Sequence, residues 1–168
     1  NAEGDFVPYL AKSIEPNDTY DHWTIELREG ITFHDGSELN AEVVKNNLDA
    51  YRGSYEGRSS MLFRFVLSNI DTVEATGPLT VEVTTKVPWV AFPSYLYSSS
   101  RMGMMAQAQL DSENCSEELI GTGPFKLVSW NQNEKLVAER NPDYWQIAPD
   151  GEPYPYAEGI EFRPILDG

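Results

Sequence analysis

An α+β fold, with short helices set among mixed and antiparallel strands, follows from three patterns in this sequence. Apolar and polar residues alternate along Trp23-Thr24-Ile25-Glu26-Leu27 and Val81-Glu82-Val83-Thr84, the period of a half-buried strand. Apolar residues recur every three or four positions at Ala41, Val44, Leu48 and Tyr51, the period of an amphipathic helix. Turn-forming pairs such as Glu29-Gly30, Asp35-Gly36 and Gly77-Pro78 punctuate the chain between such stretches.

Pro8 to Ser13 leads into a first strand, which Pro16-Asn17-Asp18 ends. His22 to Arg28 is the second, with Trp23, Ile25 and Leu27 on one face. Ile31 and Phe33 continue that apolar face past Glu29-Gly30, and Asp35-Gly36 turns the chain again. Asn40 is placed to cap a helix carrying Ala41, Val44, Leu48 and Tyr51 inward and Glu42, Lys45, Asp49 and Arg52 outward. Glu42 suits the first turn, where the macrodipole favours negative charge, and Gly53 is a natural stop.

Arg58 to Asn69 predicts a second short helix. Ile70 to Ala75 and Leu79 to Val87 predict a hairpin around Gly77-Pro78. Trp89 to Tyr97 predicts a short helix distorted at Pro93, because proline lacks an N–H donor. Asp111 to Glu118 predicts loop or a short helix. Phe125 to Trp130 and Glu134 to Arg140 predict a second hairpin around Asn131-Gln132-Asn133, closed by Asn141-Pro142. Gly151 to Tyr156 is a turn-rich connector whose rings can pack, and Ile160, Phe162 and Ile165 sketch a last strand.

Acidic residues outnumber basic ones 27 to 12. That balance argues against nucleic acid and anionic lipid, both of which need a basic face; a solvated acidic surface is its ordinary meaning. The single cysteine, Cys115, allows no internal disulfide, and neither histidine, His22 or His34, is placed beside it as a base. No apolar run reaches the roughly 18 residues of a membrane span. The polar opening Asn1-Ala2-Glu3-Gly4-Asp5 carries no basic-plus-apolar leader and is read as the start of an excised segment whose secretion signal, if any, was left out. A chain of 168 residues suits one domain, or one domain and part of another.

Candidate sites divide into scaffold and recognition. Arg28 has the guanidinium of an anion clamp, but beside Gly30 and Asp35 it reads better as a structural group bonding turn carbonyls. His34-Asp35 lacks the further ligands of a metal site. Gly121-Thr122-Gly123-Pro124 has the glycines of a phosphate loop without its lysine, and Pro124 removes a donor; its glycines suit a sharp lead-in to a strand. Tyr144 and Trp145 read as packing anchors after Asn141. No catalytic set, metal site or cofactor emerges. Tyr97, Ser98, Ser99, Ser100, Arg101 and Met102 offer hydroxyls, a guanidinium and apolar surface together, a combination able to hold a peptide carboxylate or carbonyl; rings merely buried in a core are the alternative.

The order and spacing of three motifs resemble the large extracytoplasmic solute-binding proteins of ABC importers, the family of oligopeptide-, dipeptide- and nickel-binding proteins. The motifs are Leu27-Arg28-Glu29-Gly30-Ile31-Thr32-Phe33-His34-Asp35-Gly36, Gly121-Thr122-Gly123-Pro124-Phe125, and Arg140-Asn141-Pro142-Asp143-Tyr144-Trp145. The helix start departs from the family pattern: Asn40-Ala41-Glu42-Val43-Val44 has Asn for Thr and Val43 for Asp, so Asn40 caps without a reciprocal partner. Leu10-Ala11-Lys12-Ser13-Ile14 matches a further motif loosely.

The resemblance implies a type II periplasmic-binding-protein-like fold with an extra subdomain. This chain would be a partial first lobe: residues 1–120 the extra subdomain, residues 121–168 strands returning to the lobe's main sheet, and the second lobe absent. It implies that the stretch from Tyr97 to Met102 lies near the cleft. It also implies a non-enzymatic, extracytoplasmic monomer that hands a peptide or similar solute to permease subunits and meets the membrane through a lipid anchor outside this chain. A half-cleft buries too little ligand surface, so this segment alone is expected to fold but bind weakly. A fragment of an extracellular glycoside hydrolase, or a carbohydrate-binding module stacking sugars on Trp and Tyr, is the competing reading.

Overall fold

The computed structural model describes residues 5–56, 58, 64–65, 67–97 and 102–165. Two compact units share the chain: Asn1–Glu29 with Leu39–Met104, and Gly30–Glu38 with Met105–Gly168.

The first unit is built on a four-stranded antiparallel sheet of β1 (Ala11–Pro16), β2 (His22–Leu27), β3 (Ile70–Ala75) and β4 (Thr80–Thr85), ordered β1-β2-β4-β3. Register follows the alternation. Pro16, Trp23, Val83 and Val73 stand opposite one another in one row, and Ile14, Ile25, Val81 and Ala75 in the next. Trp23, Ile25, Val73, Val81 and Val83 are buried. A one-residue slip would turn this whole set to water, so burial itself specifies the pairing.

Helix α1 (Ala41–Arg52) packs against β3 and β4. Asn40 is extended and its Oδ1 accepts the Val43 N–H at 3.0 Å, while the Ala41 N–H goes to the Pro78 carbonyl at 2.9 Å. Gly53, at φ 79°, ends the helix in a left-handed turn that its missing Cβ permits. The buried face is wider than the sequence predicts. Asp49, expected outside, is buried, and its carboxylate takes Lys45 Nζ at 3.1 Å and Arg52 Nε at 2.7 Å. Those two cations lie one turn to either side, so they neutralise the acid where burial alone would penalise it.

Helix α2 (Phe92–Tyr97) is shorter than expected. Pro93 sits in its first turn, where the missing N–H has no intrahelical partner to lose. Fully buried Phe92 meets Trp23 at 5.3 Å and Trp89 at 5.4 Å between ring centres, and Trp89 meets Tyr95 at 4.9 Å. The helix expected over residues 58–69 lies in large part outside the described residues; Ser68 and Ile70 close turns onto the Phe65 and Leu67 carbonyls.

The second unit holds α3 (Gln107–Asp111) and a three-stranded antiparallel sheet, β5 (Phe125–Asn131), β6 (Lys135–Arg140) and β7 (Gly159–Phe162), ordered β5-β6-β7. Helix α3 ends where a loop or helix was expected to begin, and turns follow it. Gln109 secures those turns, giving Nε2 to the Cys115 carbonyl and taking the Ile120 N–H on Oε1. Strand β7 stops at Phe162, short of Ile165, which is 91% exposed.

Candidate functional site

A groove of about 760 Å³ opens in the first unit. Its floor is Ile14 of β1 with Ile25 and Leu27 of β2. Val44 and Leu48 of α1 form one side, and Leu96 and Tyr97 of α2 another. Residues Asp5 to Leu10 and the segment Met102 to Met104 complete the lining. Alternation on β2 and the three-to-four spacing on α1 thus aim apolar side chains at one space. Such a surface can exclude water from an apolar ligand group.

Two hydrogen bonds fix its walls. Arg28 donates from Nε to the Tyr9 carbonyl at 2.8 Å, and its backbone N–H to the Leu10 carbonyl at 3.0 Å. The carbonyl held by Nε therefore belongs to the upstream wall, where the sequence placed the partners of Arg28 in the Gly30–Asp35 turn. Opposite, the Tyr51 hydroxyl donates to the Gly103 carbonyl at 2.8 Å. Burial pushes the Tyr51 phenol up to about 12. The Phe6 ring stands edge-on to Tyr97 with centres 5.6 Å apart.

Of the residues predicted to face ligand, Tyr97 and Met102 both line this groove. Ser98, Ser99, Ser100 and Arg101 lie outside the described residues. Tyr51 and the segment from Asp5 to Tyr9 were missed. Tyr51 looked like one more core position on its helix stripe, and a segment without alternation or helical spacing carries no sequence signal.

The scaffold motifs meet in the second unit. Asp35 Oδ1 accepts both the backbone N–H and the hydroxyl of Ser37, at 3.0 and 2.6 Å, which tightens the turn that Gly36 makes at φ 85°. His34 is half-buried, and both ring nitrogens are taken by backbone. Nε2 lies 3.0 Å from the Gly123 carbonyl, and Nδ1 accepts the Gly121 N–H at 3.3 Å. Neither nitrogen is directed at a metal. Among the described residues no group of three or more His, Cys, Asp or Glu is arranged to hold one.

Asn141 is buried and ties the motifs together. Its Nδ2 donates to the Gly123 carbonyl at 3.0 Å, and its N–H to the Pro124 carbonyl at 2.9 Å. Its Oδ1 accepts the Asp143 N–H at 3.2 Å. Tyr144 follows, buried, with its hydroxyl 2.9 Å from Gln146 Oε1 and its ring 6.0 Å from that of Trp145. Gly123 does not adopt a left-handed conformation, and a Cβ there would meet only His34 Nε2, at 4.0 Å. Its carbonyl, shared by His34 and Asn141, is the feature this turn uses.

Comparison with known proteins identifies the family of this chain. Residues 5–168 match the family model described as bacterial extracellular solute-binding proteins, family 5, middle. The glutathione-binding protein GsiB of Escherichia coli K12 is 36% identical over 163 residues, which are 94% of this chain and 30% of that protein. The structure of NikA from Brucella suis in complex with Fe(III)-EDTA superposes with a TM-score of 0.82 at 28% identity, covering 99% of this chain and 32% of that one. A nickel ABC transporter structure from Bacillus halodurans gives 0.72 at 31% identity, over 92% and 29%. The chain thus spans about a third of the length of these relatives. No helix among the described residues is long and apolar enough to cross a membrane. The chain belongs to the bacterial extracellular solute-binding proteins of family 5.

Proposed function

We propose that the full-length protein captures a small peptide or similar solute outside the cytoplasmic membrane and delivers it to the permease of an ABC importer. The observation that carries this reading is the family match across residues 5–168. It favours solute capture over a glycoside hydrolase or carbohydrate-binding module. The chain supplies part of the first lobe, with residues 1–120 as the extra subdomain and 121–168 as strands returning to the lobe's main sheet. The second lobe comes from polypeptide outside this chain. The protein acts as a monomer, as a free protein or through a lipid anchor outside residues 1–168. Closure of two lobes, not covalent chemistry, does the work.

Tyr97 to Met102 are the proposed ligand contacts of this lobe. Tyr97 and Met102 present apolar surface, Ser98 to Ser100 hydroxyls, and Arg101 a planar donor set for a carboxylate. Glutathione, named for GsiB, is a small peptide with free carboxylates, so such peptides are the first ligands to test.

Calorimetric titration of the full-length protein against di- and tripeptides, glutathione included, is the direct test. A saturable 1:1 isotherm is expected. Arg101→Ala should weaken it about ten-fold, the loss of one hydrogen bond to a charged group. Turnover of a chromogenic glycoside, with no heat from any peptide, would overturn the proposal.

A further inference from the structure

The apolar face of the four-stranded sheet is covered unevenly. Helix α1 packs on β3 and β4, and α2 reaches β2 through the rings of Phe92 and Trp23. Over Ile14, Ile25 and Leu27 the groove runs between these two helices. Arg28 holds the Tyr9 carbonyl and Tyr51 the Gly103 carbonyl, which anchors one wall to the end of β2 and the other to α1. The volume, about 760 Å³, falls in the range of small-molecule sites. The lining is almost wholly hydrocarbon and ring, and Asp5 is its one charged side chain among the described residues. A carboxylate drawn inside would lose its hydration and meet only another acid. An aliphatic or aromatic group would instead cover apolar surface, since Ile14 and Leu96 are half-buried and Tyr97 is 64% exposed.

We infer that this groove is a side-chain pocket, and that the solute it selects carries a bulky aliphatic or aromatic group. Among peptides, that means Leu or Phe, and not Gly or Glu, at the position that enters. This rests on the reading above, that Tyr97 to Met102 contact the solute. Tyr97 and Met102 both line the groove, so it is continuous with that contact stretch. The charged ends of the peptide stay outside it.

Calorimetry of the full-length protein tests this with triglycine and with tripeptides in which one glycine is replaced by Phe, Leu or Glu. At one position of the peptide, Phe or Leu should tighten binding about ten- to a hundred-fold over triglycine, the effect of burying one such side chain. Glu at that position should bring no gain. Ile14→Ser and Tyr97→Ala alter residues that are not fully buried, and each should cut the Phe-to-triglycine ratio several-fold. A general loss of folded protein would not move that ratio. Equal affinity for triglycine and the Phe and Leu peptides would overturn the inference and leave solute capture standing. So would a preference that survives both substitutions, which would put the pocket elsewhere. If no peptide binds, the proposed function falls, and the neutral fluorophore N-phenyl-1-naphthylamine decides the groove. Uptake at one site, weakened several-fold by Ile14→Ser, would keep an apolar pocket for a solute of another class; no uptake would remove it.

Discussion

His34 holds the carbonyl of Gly123, 89 residues away, with Nε2 at 3.0 Å. Because Nδ1 accepts the Gly121 N–H, that nitrogen carries no proton, and the donor is Nε2–H. The His34 backbone N–H adds a third bond, to the Gly121 carbonyl at 2.9 Å. One neutral imidazole therefore clamps both ends of the Gly121–Gly123 turn. His34→Ala should cost about 1–3 kcal/mol, since it strands the half-buried Gly121 N–H and leaves the Gly123 carbonyl to Asn141 alone. His34→Gln can replace one of the two ring bonds and should recover part of the loss. Urea denaturation of the full-length protein reads both; equal stability of all three proteins would refute the clamp.

Much of this architecture was legible because it is local. Trp23, Ile25 and Leu27 alternate, and burial follows the alternation. Asn40 precedes an apolar stripe, and its carboxamide caps the helix. What escaped is set by partners distant in sequence. Nothing around His34 names Gly121 or Gly123, and nothing around Arg28 names Tyr9. Asp49 reads as a solvent residue until Lys45 and Arg52 are seen closing on it. Helix α3 escaped for the opposite reason: five residues without a side-chain cap leave almost no periodicity to read. The pairing of Gly30–Glu38 with residues after 104 is a tertiary choice that no local pattern encodes. Of the candidate site, residue types were legible at Tyr97 and Met102; the groove they line depends on the Arg28 and Tyr51 bonds.

The Tyr51–Gly103 bond makes one wall of the groove sensitive to alkali. Burial raises the phenol from 10.0 to about 12, so the folded state favours the neutral donor. Stability from this group is fully present below pH 10 and is lost as pH rises through about 12. Absorbance at 295 nm should show two tyrosines, Tyr51 and Tyr156, titrating well above the bulk. Tyr51→Phe should halve that late phase and cost about 1 kcal/mol, the worth of one buried hydrogen bond. A Tyr51→Phe protein whose late phase is undiminished would sink the assignment.

Asp150 and Tyr156 form a second pair, 2.6 Å apart at the surface. The tyrosine hydroxyl is the main group holding the Asp150 carboxyl below 3.8, with the Glu152 N–H next. In return, the hydrogen bond to Asp150 is the main cause that pushes Tyr156 up to about 12. The aspartate's contribution is present above pH 3.8 and lost as pH falls through its lower folded value. The tyrosine's is present below pH 10 and lost as pH rises through about 12. Carbon-detected NMR titration of Asp150 should show Tyr156→Phe returning the carboxyl toward its ordinary value. No movement on substitution would show that the Glu152 N–H alone sets it.

Gly159 opens β7 with the backbone of β6 pressed against it. A Cβ at this position would lie 2.8 Å from the Ala138 carbonyl oxygen, closer than real Cβ contacts come. The obstacle is backbone, which cannot swing aside as a flexible side chain would. Ala138 pairs directly with Ile160, so moving its carbonyl disturbs the ladder that carries Ile160 and Phe162. Gly159→Ala should therefore destabilise by about 1–3 kcal/mol, the usual cost of overpacking. The loss should be confined at first to amide protection in β6 and β7, while β1 to β4 keep theirs. Hydrogen exchange separates the two sheets directly. Uniform loss across both would mean that Gly159 supports the whole fold and not one strand pair; unchanged protection in β7 would mean that the close approach to Ala138 is not a constraint.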